Sequence, residues 1–185
     1  MNPDIKSPIQ KNTAFGGKSL AFVEYIIRRS QADSGVRAAL KRADNPSTEY
    51  QSWDVLAGFK VDLESESERL SHGIVAAAIA RTESTRNGSV KIGHAIARCY
   101  EDGNKNDQAK AKLRRLLACD SLSEAFRILR PLLRLIESRG TGPLDYAALL
   151  NGLEWFNHDD SRNRTKARWA QEFYGGPMKG GENES

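Results

Sequence analysis

Cysteine is scarce in this chain: Cys99 and Cys119 are the only two in 185 residues, and neither belongs to a CxxC pair. That excludes a disulfide framework and a cysteine-built metal centre, and it fits reduced thiols in a cytoplasmic protein. His72, His94 and His158 lie far apart, with no HExxH pair and no cysteine at ligand spacing, so no metal site is expected. Gly16-Gly17-Lys18 lacks the preceding strand that a phosphate-cradling loop needs, and no GxxxxGK[ST] or GxSxG motif occurs. Acidic pairs such as Glu101-Asp102 fall in what read as solvated turns. The expectation is a protein with no catalytic residue and no cofactor. No apolar run approaches the ~20 residues that cross a bilayer, and the opening MNPDIKSPIQKN lacks the apolar segment of a secretory leader. No membrane partner is expected. Period-two alternation is almost missing, and no internal repeat is found.

What remains is helical and basic. Hydrophobic residues make up 39% and charged residues 28%, with a formal charge of +4, a composition that supports a globular core. The charge is uneven. Arg86 to Ala170 holds 16 Lys or Arg against 10 Asp or Glu, a net of +6 that leaves about −2 for the rest. A basic half suits an anionic partner.

Residues 1–17 read as a disordered lead and 175–185 as a flexible tail, with Gly175 stopping the last helix at its C′ position. Between them, residues 18–174 are expected to form an all-α, compact bundle of about eight helices, either as one body or as two small lobes, 18–103 and 104–174. Phe22, Val23, Ile26 and Ile27 sit at helical spacing in a first helix from Lys18 to Gln31. Asp33 or Ser34 caps a second to about Ala43, ended by Asn45-Pro46-Ser47. A third is expected over 48–59, with Tyr50, Trp53, Leu56 and Ala57. Further helices are expected over 67–80, 90–100, 110–118, 122–138, 145–157 and 160–174. Gly93, Ala95 and Ala97 would let a neighbouring helix approach closely. Trp155, Phe156, Trp169, Phe173 and Tyr174 are read as core.

The segment from Leu122 to Ser138 is the clearest amphipathic helix. Leu122, Ala125, Phe126, Leu129, Leu132, Leu133 and Ile136 fall on one face, which is expected to be core. Arg127, Arg130 and Arg134 fall within about 60° of one another on a different face, with Pro131 expected to bend the row. A row of guanidiniums offers planar donor forks to phosphate. Lys110, Lys112, Arg114 and Arg115 form a second basic row, and Arg37, Lys41 and Arg42 a third. Both contain like charges four apart, a spacing slightly unfavourable to an isolated helix. Arg162, Arg164, Lys166 and Arg168 make a fourth cluster, partly offset by Asp159 and Asp160.

The blocks KLRRLLACDSLSEAFRILRPLLRLI, LDYAALLNGLEWF and RTKARWAQEFYG, with IGHAIARCY and GVRAALKRA upstream, resemble the CasB family, the small helical subunit of type I-E CRISPR Cascade. The resemblance covers roughly residues 20–174. It implies a non-catalytic subunit of an antiviral complex, present in two copies beside other Cascade proteins, crRNA and target DNA. It implies support of target binding and of the displaced strand by surface Lys and Arg. Lys41 and Arg42 match a basic pair common in the family, Arg114 and Arg115 its basic helix, and Arg127, Arg130 and Arg134 its Leu/Arg helix. Two departures stand out: His94 where Arg is expected, and Gly152 where Asp is expected.

Two other functions fit parts of the pattern. A helix-turn-helix regulator would need a recognition helix, for which 38–57 is the nearest candidate, but Trp53 and Leu56 stand where polar groups should project. A helical scaffold would leave the basic faces merely solvated. From the residues alone, replacing Arg127, Arg130 and Arg134 with Ala is expected to weaken single-strand binding with little loss of thermal stability.

Overall fold

Ten consecutive residues of one helix, Ser71 to Ala80, are buried, and the other elements are arranged around it. The computed structural model describes residues 10–175, with side chains from Gly17 onward. Among these residues there are nine α-helices: α1 Gln10–Ala32, α2 Ser34–Leu40, α3 Trp53–Gly58, α4 Glu66–Thr82, α5 Ile92–Arg98, α6 Asp107–Leu117, α7 Leu122–Arg139, α8 Tyr146–Glu154 and α9 Asp159–Tyr174. The fold is all-α, with one isolated parallel bridge between Val90 and Leu144.

From Gly73 to Ala80, α4 is apolar all round because that stretch is central. Its run Ile74-Val75-Ala76-Ala77-Ala78-Ile79-Ala80 offers small side chains on every side, and α1, α2, α7 and α8 pack against it. A helix buried on all faces loses the two-sided pattern of a surface helix. His72 belongs to this core: its ring meets Phe22 edge-on at 4.7 Å, Nδ1 lies 2.8 Å from the Glu68 carbonyl, and Nε2 lies 3.4 Å from Glu154 Oε1. α7 behaves as its spacing predicts, and all seven of its expected core residues are buried. One connected core runs from Phe22 to Phe173.

Helix starts follow their capping chemistry. Asp33 accepts hydrogen bonds from the N–H groups of Gly35 and Val36 at 2.7 and 3.2 Å, and Asn106 serves Gln108 and Ala109 at 2.9 and 3.1 Å. Ser121 accepts from the Glu124 N–H at 3.2 Å, but the Glu124 carboxylate takes the N–H of Asp120, one residue before the cap, at 2.8 Å. The capping box is therefore shifted by one donor.

Several boundaries depart from the sequence expectation. α1 starts at Gln10, so residues 10–17 of the expected lead are helical. Once a helix is nucleated, propagation adds one bond for each residue fixed, which offsets the cost of Gly16 and Gly17. The expected third helix is split into a 3-10 turn, Glu49–Ser52, and the short α3, with Tyr50 exposed. Gly175 keeps ordinary right-handed backbone, φ −68°. Residues 1–9 and 176–185, which carry most of both expected tails, lie outside the described residues.

The helix contact of most consequence is α5 on α9. A Cβ at Gly93 would lie 2.4 Å from the Trp169 carbonyl oxygen and 2.6 Å from the Phe173 nitrogen. Backbone meets backbone there, as the small-residue block predicts. Gly93→Ala is expected to destabilise the fold by about 1–3 kcal/mol through overpacking, seen as a drop of roughly 5 °C in the thermal unfolding midpoint. An unchanged midpoint would contradict this packing. Gly152 is explained in the same way. Its Cβ would lie 3.0 Å from the Thr165 methyl, so α9 occupies the space an Asp side chain would need.

Candidate nucleic-acid interface

α7 projects Arg127, Arg130 and Arg134 from the side opposite its buried face into an open groove of about 550 Å³. Across from them stand Arg69 and Glu66 on α4, and Pro46 and Glu49 on the segment after α2. The groove thus holds four guanidiniums against two carboxylates, and Arg69 already serves Glu49, with Nε 3.2 Å from Oε1. Pro131, on the groove side, removes the N–H that would bond to the Arg127 carbonyl, yet the helix continues through it to Arg139.

Beneath the row lies a carboxylate that sequence reasoning missed. Asp44, fully buried, faces Arg81 Nη1 at 2.7 Å, Arg134 Nη2 at 3.6 Å and Arg130 Nε at 3.9 Å. Only the first is a hydrogen bond, and Asp44 Oδ1 makes none with a described residue. Arg81 also donates to both oxygens of Glu137, at 3.0 and 2.9 Å. Burial works against the Arg81 charge, but the hydrogen bond to Glu137 and the field of Asp44 outweigh it and raise its pKa. Gly73 makes the arrangement possible. A Cβ there would lie 2.8 Å from the Ala43 carbonyl, so only a glycine lets the turn carrying Asp44 rest on α4.

The three basic rows therefore differ. Arg127 is exposed and makes no ion pair with a described residue, whereas Arg130 and Arg134 share the field of Asp44. On α6, Arg114 and Arg115 are exposed and Lys112 half-buried, none of them ion-paired to a described residue. Lys110 lies 3.5 Å from Asp107, so one member of that row is ion-paired. The row after Asp33 is largely spoken for. Arg37 and Lys41 both face Glu83, at 3.9 and 3.2 Å, and Arg42 donates to Gln51 at 2.8 Å. The hydrogen bond from Lys41, with Arg37 beside it, holds the Glu83 carboxyl below its ordinary pKa.

The fourth cluster lies on α9. Arg162 pairs with Asp159 at 2.7 Å and Lys166 with Asp120 at 3.3 Å. Burial pushes the Cys119 thiol up, while Lys166 and Arg127 act on it in the opposite sense. The C-terminal cluster therefore adjoins the start of the α7 row. The recognition helix of a helix-turn-helix is not found over 38–57, which is divided among the end of α2, a turn, the 3-10 segment and part of α3.

Residues 36–174 match the family model described as CRISPR-associated protein Cse2. Among solved structures, the chain is similar to a Cse2-family CRISPR-associated protein from Thermus thermophilus, at 23% identity and a TM-score of 0.68, over 85% of this chain and 98% of that one. It is similar to a structure of CasB from Thermus thermophilus, at 25% identity and a TM-score of 0.66 over the same shares. It is also similar to CasB from M. ruber, at 25% identity and a TM-score of 0.64, over 85% of this chain and 92% of that one. No curated protein matches the sequence.

Proposed function

The chain belongs to the CRISPR-associated Cse2 (CasB) family, and from that premise we propose that it acts as the non-catalytic small subunit of a type I-E Cascade complex. In this reading its basic helix faces grip nucleic-acid backbone. The observation that carries it is the α7 groove, where Arg69, Arg127, Arg130 and Arg134 converge on one open surface. In this reading the exposed Arg114 and Arg115 of α6 add to the basic surface, and Arg37, Lys41, Arg42, Lys110 and Lys112 contribute weaker charge. Guanidinium forks bind phosphate oxygens without reading bases.

When crRNA pairs with one target strand, the other is released as a single-stranded polyanion. Pairing with the guide is nearly balanced against reclosure of the duplex. A surface that holds the released strand shifts that balance without any chemical step. A second copy of the chain would lengthen the track, and neighbouring Cascade proteins would fix its direction. A scaffold reading draws on the internal ion pairs of Arg37, Lys41, Arg130 and Arg134, and it would leave affinity for oligonucleotides independent of salt.

The test is reconstitution of the complex with crRNA, with and without this chain, on a matched duplex. Omission is expected to reduce permanganate reactivity of thymines in the displaced strand, and adding the chain back to restore it. Equal reactivity in both cases would refute the proposed role.

A further inference from the structure

The structure assigns a second, chemically different contact to the groove between α8 and α9: a stacking site for an unpaired nucleobase on Trp155. This inference rests on the nucleic-acid reading above and names the part of the ligand that the arginine row does not address. Trp155 was expected in the core. Its neighbour Phe156 is indeed fully buried and stacks on the buried Trp169 at 5.7 Å and 22°. Trp155, in the turn after α8, points the other way and is 40% exposed, with the His158 ring 5.5 Å from its own.

What surrounds Trp155 suits a nucleotide. It lines an open groove of about 830 Å³ with Asn151 of α8 and Ser161, Arg164, Arg168 and Gln171 of α9. Those four α9 positions follow helical spacing, so one stripe of the helix forms the wall. Among the described residues, no carboxylate lines this groove. Arg164 and Arg168 donate only long hydrogen bonds among the described residues, to the hydroxyls of Ser161 and Thr165 at 3.5 and 3.4 Å. Most of their donors therefore remain available, although the Glu172 carboxylate lies within the field of Arg168. An exposed indole beside two guanidiniums, with amide and hydroxyl groups between, matches a planar base that carries a phosphate. Sequence-tolerant single-strand binding commonly pairs a basic groove with aromatic platforms in this way. An acidic peptide would use the arginines and leave the indole idle.

The test compares two single strands of equal length and equal phosphate count, oligothymidine and an abasic oligomer, each bound to the full-length chain at low salt. Wild-type protein is expected to prefer oligothymidine by roughly tenfold. Trp155→Ala should bind oligothymidine roughly tenfold more weakly, leave abasic affinity and the salt slope unchanged, and melt with wild-type cooperativity. Trp155→Phe should recover most of the preference, because a phenyl ring still stacks. A Trp155→Ala variant that binds oligothymidine as wild type does overturns the stacking site while the arginine row stands. Polyglutamate competing as well as oligothymidine, with no preference for bases, makes the groove a protein-docking face and also overturns it. If wild-type protein binds neither oligomer, the nucleic-acid reading fails as well.

Discussion

Asp44→Ala is expected to destabilise this protein by about 3 kcal/mol, more than any loss of a surface charge. Asp44 is fully buried and holds Arg81 at 2.7 Å, with Arg130 and Arg134 in its field. Removing one partner of a buried ion pair leaves the other charge uncompensated, at a cost of about 3–5 kcal/mol. Arg81 retains Glu137, which sets the expectation at the low end. For a chain of this length the thermal midpoint should fall by about 6–12 °C, read by calorimetry or circular dichroism. Asp44→Asn keeps the shape and loses the charge, so it should fall nearly as far. Below its midpoint the Ala variant should bind single strands at least as well as wild type, because the buried negative charge that partly answers Arg130 and Arg134 has gone. A midpoint within 1 °C of wild type (on the order of the 0–1 kcal/mol that surface pairs contribute) would place Asp44 among ordinary surface carboxylates.

The second large effect concerns affinity. Replacing Arg127, Arg130 and Arg134 together with Ala should remove three phosphate contacts. Each is worth about 0.7 in the slope of log affinity against log salt for a single strand, so the slope should flatten by about 2. At ~0.1 M salt that exponent corresponds to about 100-fold in affinity. Arg130 and Arg134 are already partly answered by Asp44, which brings the expectation down to roughly 10- to 100-fold. Arg127→Ala alone should flatten the slope by about 0.7 with no change in stability, since Arg127 makes no ion pair with a described residue. Titration of a labelled single strand across a salt series measures both. The sequence alone predicts little loss of stability for the triple variant. The structure revises that, because the variant leaves Asp44 with Arg81 as its one remaining cation among the described residues, and a modest drop in midpoint should follow. Unaltered affinity at low salt would remove α7 from the interface.

The fold was legible where the signal is local. Seven apolar positions of α7 share a face at helical spacing, and all are buried. The caps at Asp33 and Ser121 and the small-residue block at Gly93 were equally readable, since each depends on neighbours a few residues away. The splitting of 48–59 was not readable, because Trp53 and Leu56 suit a full helix as well as a short one. The same limit applies to the site. Arg127, Arg130 and Arg134 could be placed on one stripe from their spacing, but Asp44 is 37 residues from Arg81. Its sequence context, just before Asn45-Pro46, reads as an exposed turn. Only the contact of that turn with α4, permitted by Gly73, makes it the counter-charge of the groove. Trp155 shows the converse. Adjacent aromatics at 155 and 156 cannot both face the core at a helix end, and spacing alone does not say which one turns outward.

Nothing probes this account of the protein more directly than the salt dependence of wild-type affinity for single strands of unrelated sequence. A phosphate-gripping surface predicts steep, parallel lines on log–log axes, losing at least two decades of affinity for each decade of salt, about three contacts' worth. Flat lines, or lines whose slopes differ from one sequence to another, would contradict it.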